Sequence, residues 1–119
     1  MPTSEANSKL YAIMTSAAQR VLALSSDPYE VGIETMAEIA GEAITDADMG
    51  GQAYCVWAEL TDIADHPRIN NSALCEERSR EAAIEWLQVD VANPKEIERY
   101  FKRWDDPLKP KDVPTDPAS

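Results

Sequence analysis

Four glutamates are spaced four residues apart in the first half of the chain, at Glu30, Glu34, Glu38 and Glu42. On a helix, residues at this spacing share one face, each about 6 Å further along the axis. That distance is of the same order as the charge spacing along a nucleic-acid strand. The row therefore predicts an anionic face that docks on a basic protein surface. The alternative interpretation is a solvated face that only keeps an acidic protein soluble.

The charge distribution extends this prediction beyond the four glutamates. The chain has 119 residues and a net charge of −11, and no Lys or Arg occurs between Arg20 and Arg68. Ten acidic residues fall in that interval, whereas the rest of the chain has twelve acidic and eleven basic residues. Such a surface repels phosphates, so it disfavours direct nucleic-acid binding and favours a basic protein partner. The candidate partner-binding residues are Glu30, Glu34, Glu38, Glu42, Asp46, Asp48, Glu59 and Asp62.

A carboxylate cage is the other chemistry that this composition allows. Glu59 and Asp62 have a Glu-x-x-Asp spacing, and Glu34 or Glu38 on a neighbouring helix could face them. Mg²⁺ prefers such oxygen ligands, so the alternative function is a metal-dependent all-α nucleotide hydrolase that uses Glu38, Glu59 and Asp62. The glutamate row lacks a second tight acidic pair, and no Lys or Arg lies nearby to bind a substrate phosphate. We therefore expect a non-enzymatic protein with no metal or cofactor.

Histidine and cysteine give little further indication of catalysis. His66 is the single histidine and precedes Pro67, so we expect a surface or capping residue and no multi-histidine zinc site. Cys55 and Cys75 are too few for a disulfide scaffold, and we expect both to be buried thiols. No nucleophile motif surrounds any Ser or Cys.

Apolar spacing and helix-start signals predict an all-α fold, a compact bundle of four to five helices. The first helix is expected over 8–24, on an apolar stripe that includes Leu24. Asp27 as the cap, Pro28 at the first position and Glu30 three residues after the cap start a second helix, expected over 27–44. Its predicted core face consists of Tyr29, Ile33, Met36, Ala37, Ile39, Ala40, Ala43 and Ile44.

Three further helices follow. One starts in 45–48, or at Gln52 after two glycines, and ends before Pro67. The next runs from a cap at Asn71 or Ser72 to about residue 89, and a short fifth helix follows the cap Asn93. Tryptophans lie on the apolar faces of the last three helices, which predicts a shared core that contains Trp57, Trp86 and Trp104.

The chain reads as one helical domain over 8–104, between a flexible N-terminus at 1–7 and a Pro-rich, disordered tail at 105–119. No apolar run approaches the roughly 20 residues of a membrane span. The first residues lack the pattern of a signal peptide, so we expect a cytoplasmic protein.

The leading hypothesis is a non-enzymatic acidic binding protein or inhibitor, a monomer or homodimer, of the anti-defence or immunity type. Its partner would be a nuclease or another nucleic-acid-binding protein. Besides the hydrolase, a further alternative is a small structural or assembly subunit that forms an oligomer through an aromatic face around Trp104.

Overall fold

Five helices make up the part of the chain that the structure describes. The computed structural model describes residues 3–42 and 49–108, with the side chains of 7–41 and 49–108. These ranges contain no strand, which confirms the predicted all-α fold. The helices are α1 (Thr3–Val21), α2 (Pro28–Glu42), α3 (Gly50–Asp65), α4 (Ser72–Leu87) and α5 (Pro94–Trp104).

Three of the helices begin at the side-chain caps that the sequence predicts. Asp27 and Asn93 each accept a hydrogen bond from the backbone N–H two residues further on, at 3.1 Å in both cases. Asn71 accepts one from the N–H three residues further on, at 3.0 Å. Each cap satisfies an N–H that has no partner within its helix. The helix α3 differs, because it begins at Gly50 after Met49, which makes no side-chain cap bond.

The helix α1 is displaced relative to its predicted bounds of 8–24. It already begins at Thr3, within the stretch predicted as a flexible N-terminus, and it ends at Val21. The carbonyl of Val21 accepts hydrogen bonds from the Ser26 hydroxyl at 2.7 Å and from Arg80 at 2.9 Å. These side chains replace the bonds of a further helical turn. Leu24, predicted in the apolar stripe, therefore lies beyond the helix and is fully exposed.

The first four helices pack as two antiparallel pairs. Thr15 of α1 contacts Trp86 of α4, and Val21 of α1 contacts Arg80 of α4, so the two helices run in opposite directions. In the second pair, the Tyr29 hydroxyl near the start of α2 donates to Asp65 at the end of α3, at 2.8 Å. The first pair joins helices that are distant in the sequence, whereas the second joins consecutive helices.

The helix α2 faces the core with small residues, so part of its predicted apolar face is wrong. Ile33, Ala37 and Ala40 are exposed, whereas Gly32 and Thr35 are buried. A Cβ added to Gly32 would lie 2.7 Å from the Thr61 methyl group, so α2 and α3 approach closely there. The Thr35 hydroxyl donates a hydrogen bond to the Val31 carbonyl at 2.7 Å, so this buried hydroxyl has a partner. The predicted face shares buried Ile39 with the observed one, and Tyr29 and Met36 are partly buried against the core. Ala43 and Ile44 lie outside the described residues.

The helix α5 covers one end of the core with aromatic residues. Tyr100, Phe101 and Trp104 are buried, and the rings of Tyr100 and Phe101 lie 5.1 and 6.1 Å from that of Trp86. The Tyr100 hydroxyl donates to the Ala82 carbonyl at 2.9 Å. This packing confirms the predicted core position of all three tryptophans.

The chain stays packed beyond α5, where a disordered tail was predicted from residue 105. Pro107 is buried, and its carbonyl accepts a hydrogen bond from Arg78 Nε at 3.1 Å. Residues 105–108 therefore belong to the packed structure. Residues 109–119 lie outside the described part of the chain.

Candidate acidic docking surface

The predicted glutamate row is present on α2 over the length that can be followed. Glu30, Glu34 and Glu38 are all exposed. Glu42 is the last residue of the helix, but its side chain lies outside the described part of the chain. Asp46 and Asp48 also lie outside the described residues. The structure therefore supplies three of the acidic side chains predicted between positions 30 and 48.

A cation from another helix contacts this row. Arg20, in the last turn of α1, lies 2.9 Å from Glu34 and 3.8 Å from Glu38. Arg20 lies just before the interval without Lys or Arg. The charge count along the sequence therefore did not reveal that packing brings Arg20 to the glutamates. The three side chains are 40–61% exposed, so the pairs contribute little stability. They do reduce the negative charge of this face.

A second acidic group lies between α3 and the segment that follows α5, and we call it the acidic cluster: Glu59, Asp62, Asp105 and Asp106. The pKa of Glu59 is raised, first by partial burial and then by the negative charges of Asp62, Asp106 and Asp105. Within residues 3–42 and 49–108, none of the four carboxylates forms an ion pair. The acidic cluster is therefore less neutralised than the glutamate row.

The predicted site residues thus divide between two surfaces. Glu34 and Glu38 lean towards α1, where Arg20 lies. Glu59 lies with Asp62 towards the residues after α5. Asp105 and Asp106 were missed because the sequence assigns them to a tail; their position at the end of an amphipathic helix is the one signal that could have placed them near the core.

The carboxylate cage of the hydrolase alternative is not formed by these residues. Within the described ranges, no three His, Cys, Asp or Glu side chains lie in an arrangement that could hold a metal ion. Glu38 is directed to Arg20, whereas Glu59 and Asp62 contribute to the acidic cluster. The prediction that Glu38 joins Glu59 and Asp62 is therefore wrong for this structure.

His66 has the structural role that the sequence predicts. It follows the last residue of α3, and its Nδ1 accepts a hydrogen bond from the backbone N–H of Arg68 at 3.1 Å. Its ring therefore stabilises the turn into the next loop.

The two cysteines differ from each other, contrary to the prediction that both are buried. Cys75 is buried, whereas Cys55 is exposed, and both are free thiols. Burial raises the pKa of the Cys75 thiol, and a hydrogen bond with Ser79 opposes part of this rise. Their different exposure leaves Cys55 as the accessible thiol of the two.

Trp104 does not form the exposed aromatic face of the assembly-subunit alternative. Its side chain is fully buried, and its Nε1 donates to Glu85 at 2.9 Å. Tyr100 and Phe101 pack beside it within the same chain. The aromatic side of α5 is therefore occupied by the core of its own molecule.

No protein-family model, curated protein or solved structure matches this chain. None of the described helices combines the length and the apolar composition that crossing a membrane requires.

Proposed function

We propose that this chain is a non-enzymatic binding protein that docks its acidic surface on a basic surface of a partner protein. The observation that carries the proposal is the acidic cluster. Four carboxylates from two parts of the chain lie together, and three of them raise the pKa of the fourth, Glu59. Among the described residues, no cation pairs with them.

Like charges held together lower the stability of the free protein, since each carboxylate raises the energy of its neighbours. A partner that supplies Lys or Arg side chains converts this repulsion into attraction. Long-range attraction between complementary surfaces also accelerates association, especially at low salt. The acidic cluster is therefore suited to binding a cationic protein surface.

The glutamate row supplies a second contact region of the same sign. Glu30, Glu34 and Glu38 follow one another at helical spacing on α2, about 6 Å apart along its axis. A protein that binds the regularly spaced phosphates of a nucleic-acid strand presents cations suited to such a row. We therefore propose a nuclease or another nucleic-acid-binding protein as the partner, with this chain as an inhibitor of the anti-defence or immunity type.

Affinity capture from the native host, with and without attack by mobile elements, tests this proposal. The captured protein is identified by mass spectrometry, purified, and titrated with this chain by calorimetry at low and physiological salt. We expect a partner with a basic surface and an affinity that falls as salt rises.

Matched variants separate specific docking from net charge. We expect Glu59→Gln combined with Asp62→Asn, or Glu30→Gln with Glu34→Gln, to weaken binding by about tenfold or more. The control changes two exposed glutamates on α4, Glu77→Gln with Glu76→Gln, and alters the net charge by the same amount. An equal loss of affinity in the control would show that net charge alone causes the effect. Unchanged binding in both surface variants would contradict the proposal.

A further inference from the structure

An open groove of about 630 Å³ runs between α4 and α5, and no residue of the acidic cluster lines it. This volume falls within the range of small-molecule sites in proteins. Ile84, which is 47% exposed, and Val89 supply apolar wall, and Tyr100 lies at its base. Arg99 and Arg103 line the α5 side. The groove therefore combines apolar surface with two cationic side chains.

The guanidinium of Arg103 lacks acceptors for its hydrogen bonds. Its Cζ lies over the Trp104 ring, 4.2 Å from the ring centroid, which is a cation–π contact. Its Nη1 and Nη2 atoms are closed to solvent and have no hydrogen-bond partner. Burying the donors of a charged group without acceptors is unfavourable. Arg103 lines the groove, so a rotation of its side chain towards the opening would bring these donors to an acceptor bound there.

The three glutamates that line the groove are already engaged. Glu81 pairs with Arg78 at 3.2 Å, outside the groove lining. Glu85 accepts a hydrogen bond from the indole N–H of Trp104 at 2.9 Å. Glu96 accepts from the backbone N–H of Asp90 at 2.8 Å, which holds the loop before α5.

Neither arginine of the groove has a carboxylate partner in the described part of the chain. No ion pair reaches Arg99 or Arg103 there. The groove thus contains two cations without carboxylate partners, and three carboxylates that already bind other groups.

We propose that this groove binds a small monocarboxylate with an apolar body. A carboxylate fits the planar edge of a guanidinium through two parallel hydrogen bonds, and Arg103 supplies such an edge once its side chain turns towards the groove. The apolar body would pack against Ile84 and Val89. A phosphate dianion is disfavoured, because its larger charge would lie close to three glutamates. Gln88, which is exposed, also lines the groove.

This site is separate from the acidic docking surface, and its test does not depend on a protein partner. Calorimetry of the full chain with 3-phenylpropanoate, with the neutral 3-phenylpropanamide and with inorganic phosphate distinguishes the chemistries. We expect the acid to bind and the amide to bind about tenfold more weakly or not at all, since charge-assisted hydrogen bonds are lost. No binding of the acid, equal binding of acid and amide, or tighter binding of phosphate would each overturn the proposal.

A peptide distinguishes the two sources of such a carboxylate. Acetyl-Gly-Phe with a terminal carboxylate is compared with the same peptide as its amide. Tighter binding of this peptide acid than of 3-phenylpropanoate assigns the groove to a peptide C-terminus, and the reverse order assigns it to a small-molecule acid. Either order supports a carboxylate site, provided that the amide binds more weakly.

Variants locate the binding. Arg103→Met keeps a long unbranched side chain and removes the guanidinium, so we expect affinity for the acid to fall by about tenfold or more. The control is Arg68→Met, which removes an exposed cation outside the groove and should leave affinity unchanged. Unchanged affinity in Arg103→Met would overturn the assignment. If that variant does not fold, the comparison of acid and amide on the unaltered chain still decides.

Discussion

At the scale of single residues, Gly32 sets the distance between α2 and α3. An added Cβ would lie 2.7 Å from the Thr61 methyl group, a distance that requires a shift. Thr61 cannot easily turn away, because its hydroxyl donates to the Trp57 carbonyl at 2.9 Å. The side chain that is missing at position 32 is therefore what allows the two helices to pack closely.

The first prediction compares two glycines of α2. Gly32→Ala gains helix propensity but forces an overlap, so we expect a net loss of about 1–2 kcal/mol in the free energy of unfolding. Gly41→Ala is the matched control, because nothing lies within 4 Å of its added Cβ, and we expect a gain of about 0.5 kcal/mol. Urea unfolding measures both changes. Equal shifts for the two variants would show that the close approach has no energetic effect.

The second prediction concerns the thiols. Cys55 is exposed, whereas Cys75 is buried with a raised pKa. We expect one thiol per chain to react rapidly with a disulfide reagent at about pH 8 and the other to react only on unfolding. Thiol titration of the native protein measures this, and Cys55→Ser should remove the rapid phase. Persistence of that phase in the variant would contradict the burial of Cys75.

At the scale of secondary-structure elements, α5 depends on its N-cap residue as well as on its aromatic face. Asn93 accepts the N–H of Lys95 at 3.1 Å, and Pro94 follows at the first helical position. The helix then places Tyr100 and Trp104 in the core. The start of this short helix is thus coupled to the packing of the aromatic residues near its end.

The third prediction tests this cap. We expect Asn93→Ala to lower the free energy of unfolding by about 1 kcal/mol, because one N–H at the start of the helix loses its acceptor. Asn93→Asp should retain most of the stability, since its carboxylate can accept the same bond and interacts favourably with the helix dipole. Thermal unfolding by circular dichroism compares the three proteins. A loss of stability in Asn93→Asp as large as in Asn93→Ala would contradict the capping role.

The elements were more predictable from the sequence than their faces were. Asp27, Asn71 and Asn93 act through bonds to residues two or three positions away, so local chemistry was enough to locate three helix starts. The core face of α2 depends on how closely α3 approaches at Gly32, which is a property of two segments together. Apolarity alone therefore selected Ile33 in place of the small residues that pack.

The candidate site was predicted in part for a similar reason. The exposure of Glu30, Glu34 and Glu38 followed from helical spacing. The pairing of Arg20 with Glu34, and the approach of Asp105 and Asp106 to Glu59, are contacts between distant segments. A linear count of charges contains no information on such contacts, so the division into two acidic surfaces became visible with the fold.

At the scale of the whole molecule, the acidic cluster makes stability depend on pH. The folded state raises the pKa of Glu59 above its ordinary value of 4.5. In that pH range the folded state binds more protons than the unfolded state, so stability falls as pH rises through the window that begins near the ordinary value. Repulsion within the cluster is therefore fully present at neutral pH.

The fourth prediction follows from this fall in stability with rising pH. We expect Glu59→Gln to be more stable than the unaltered chain at pH 7 by a few tenths of a kcal/mol, because the site is exposed and well screened. The difference should shrink as pH falls towards 4.5 and vanish below that value, where Glu59 becomes protonated in both states. Glu98→Gln, at an exposed position outside the cluster, is the control. Lower stability of Glu59→Gln at pH 7 would indicate an attractive contact and contradict the repulsion.

The fifth prediction separates binding from hydrolysis. Since no metal-holding group forms among the described residues, we expect calorimetry with Mg²⁺ or Mn²⁺ to give no saturable heat at millimolar concentrations. Stoichiometric uptake that is lost in Glu59→Gln would restore the hydrolase alternative. Uptake that persists in that variant would place a site in another part of the chain.

The three tryptophans each report on a different contact between helices. The indole N–H of Trp57 donates to Met14 Sδ at 3.3 Å. That of Trp86 donates to Thr15 Oγ1 at 3.0 Å. That of Trp104 donates to Glu85 Oε1 at 2.9 Å. A thioether, a hydroxyl and a carboxylate give these protons distinct chemical environments. Hydrogen exchange at the three indoles therefore measures separately how often α1 parts from α3, α1 from α4, and α4 from α5.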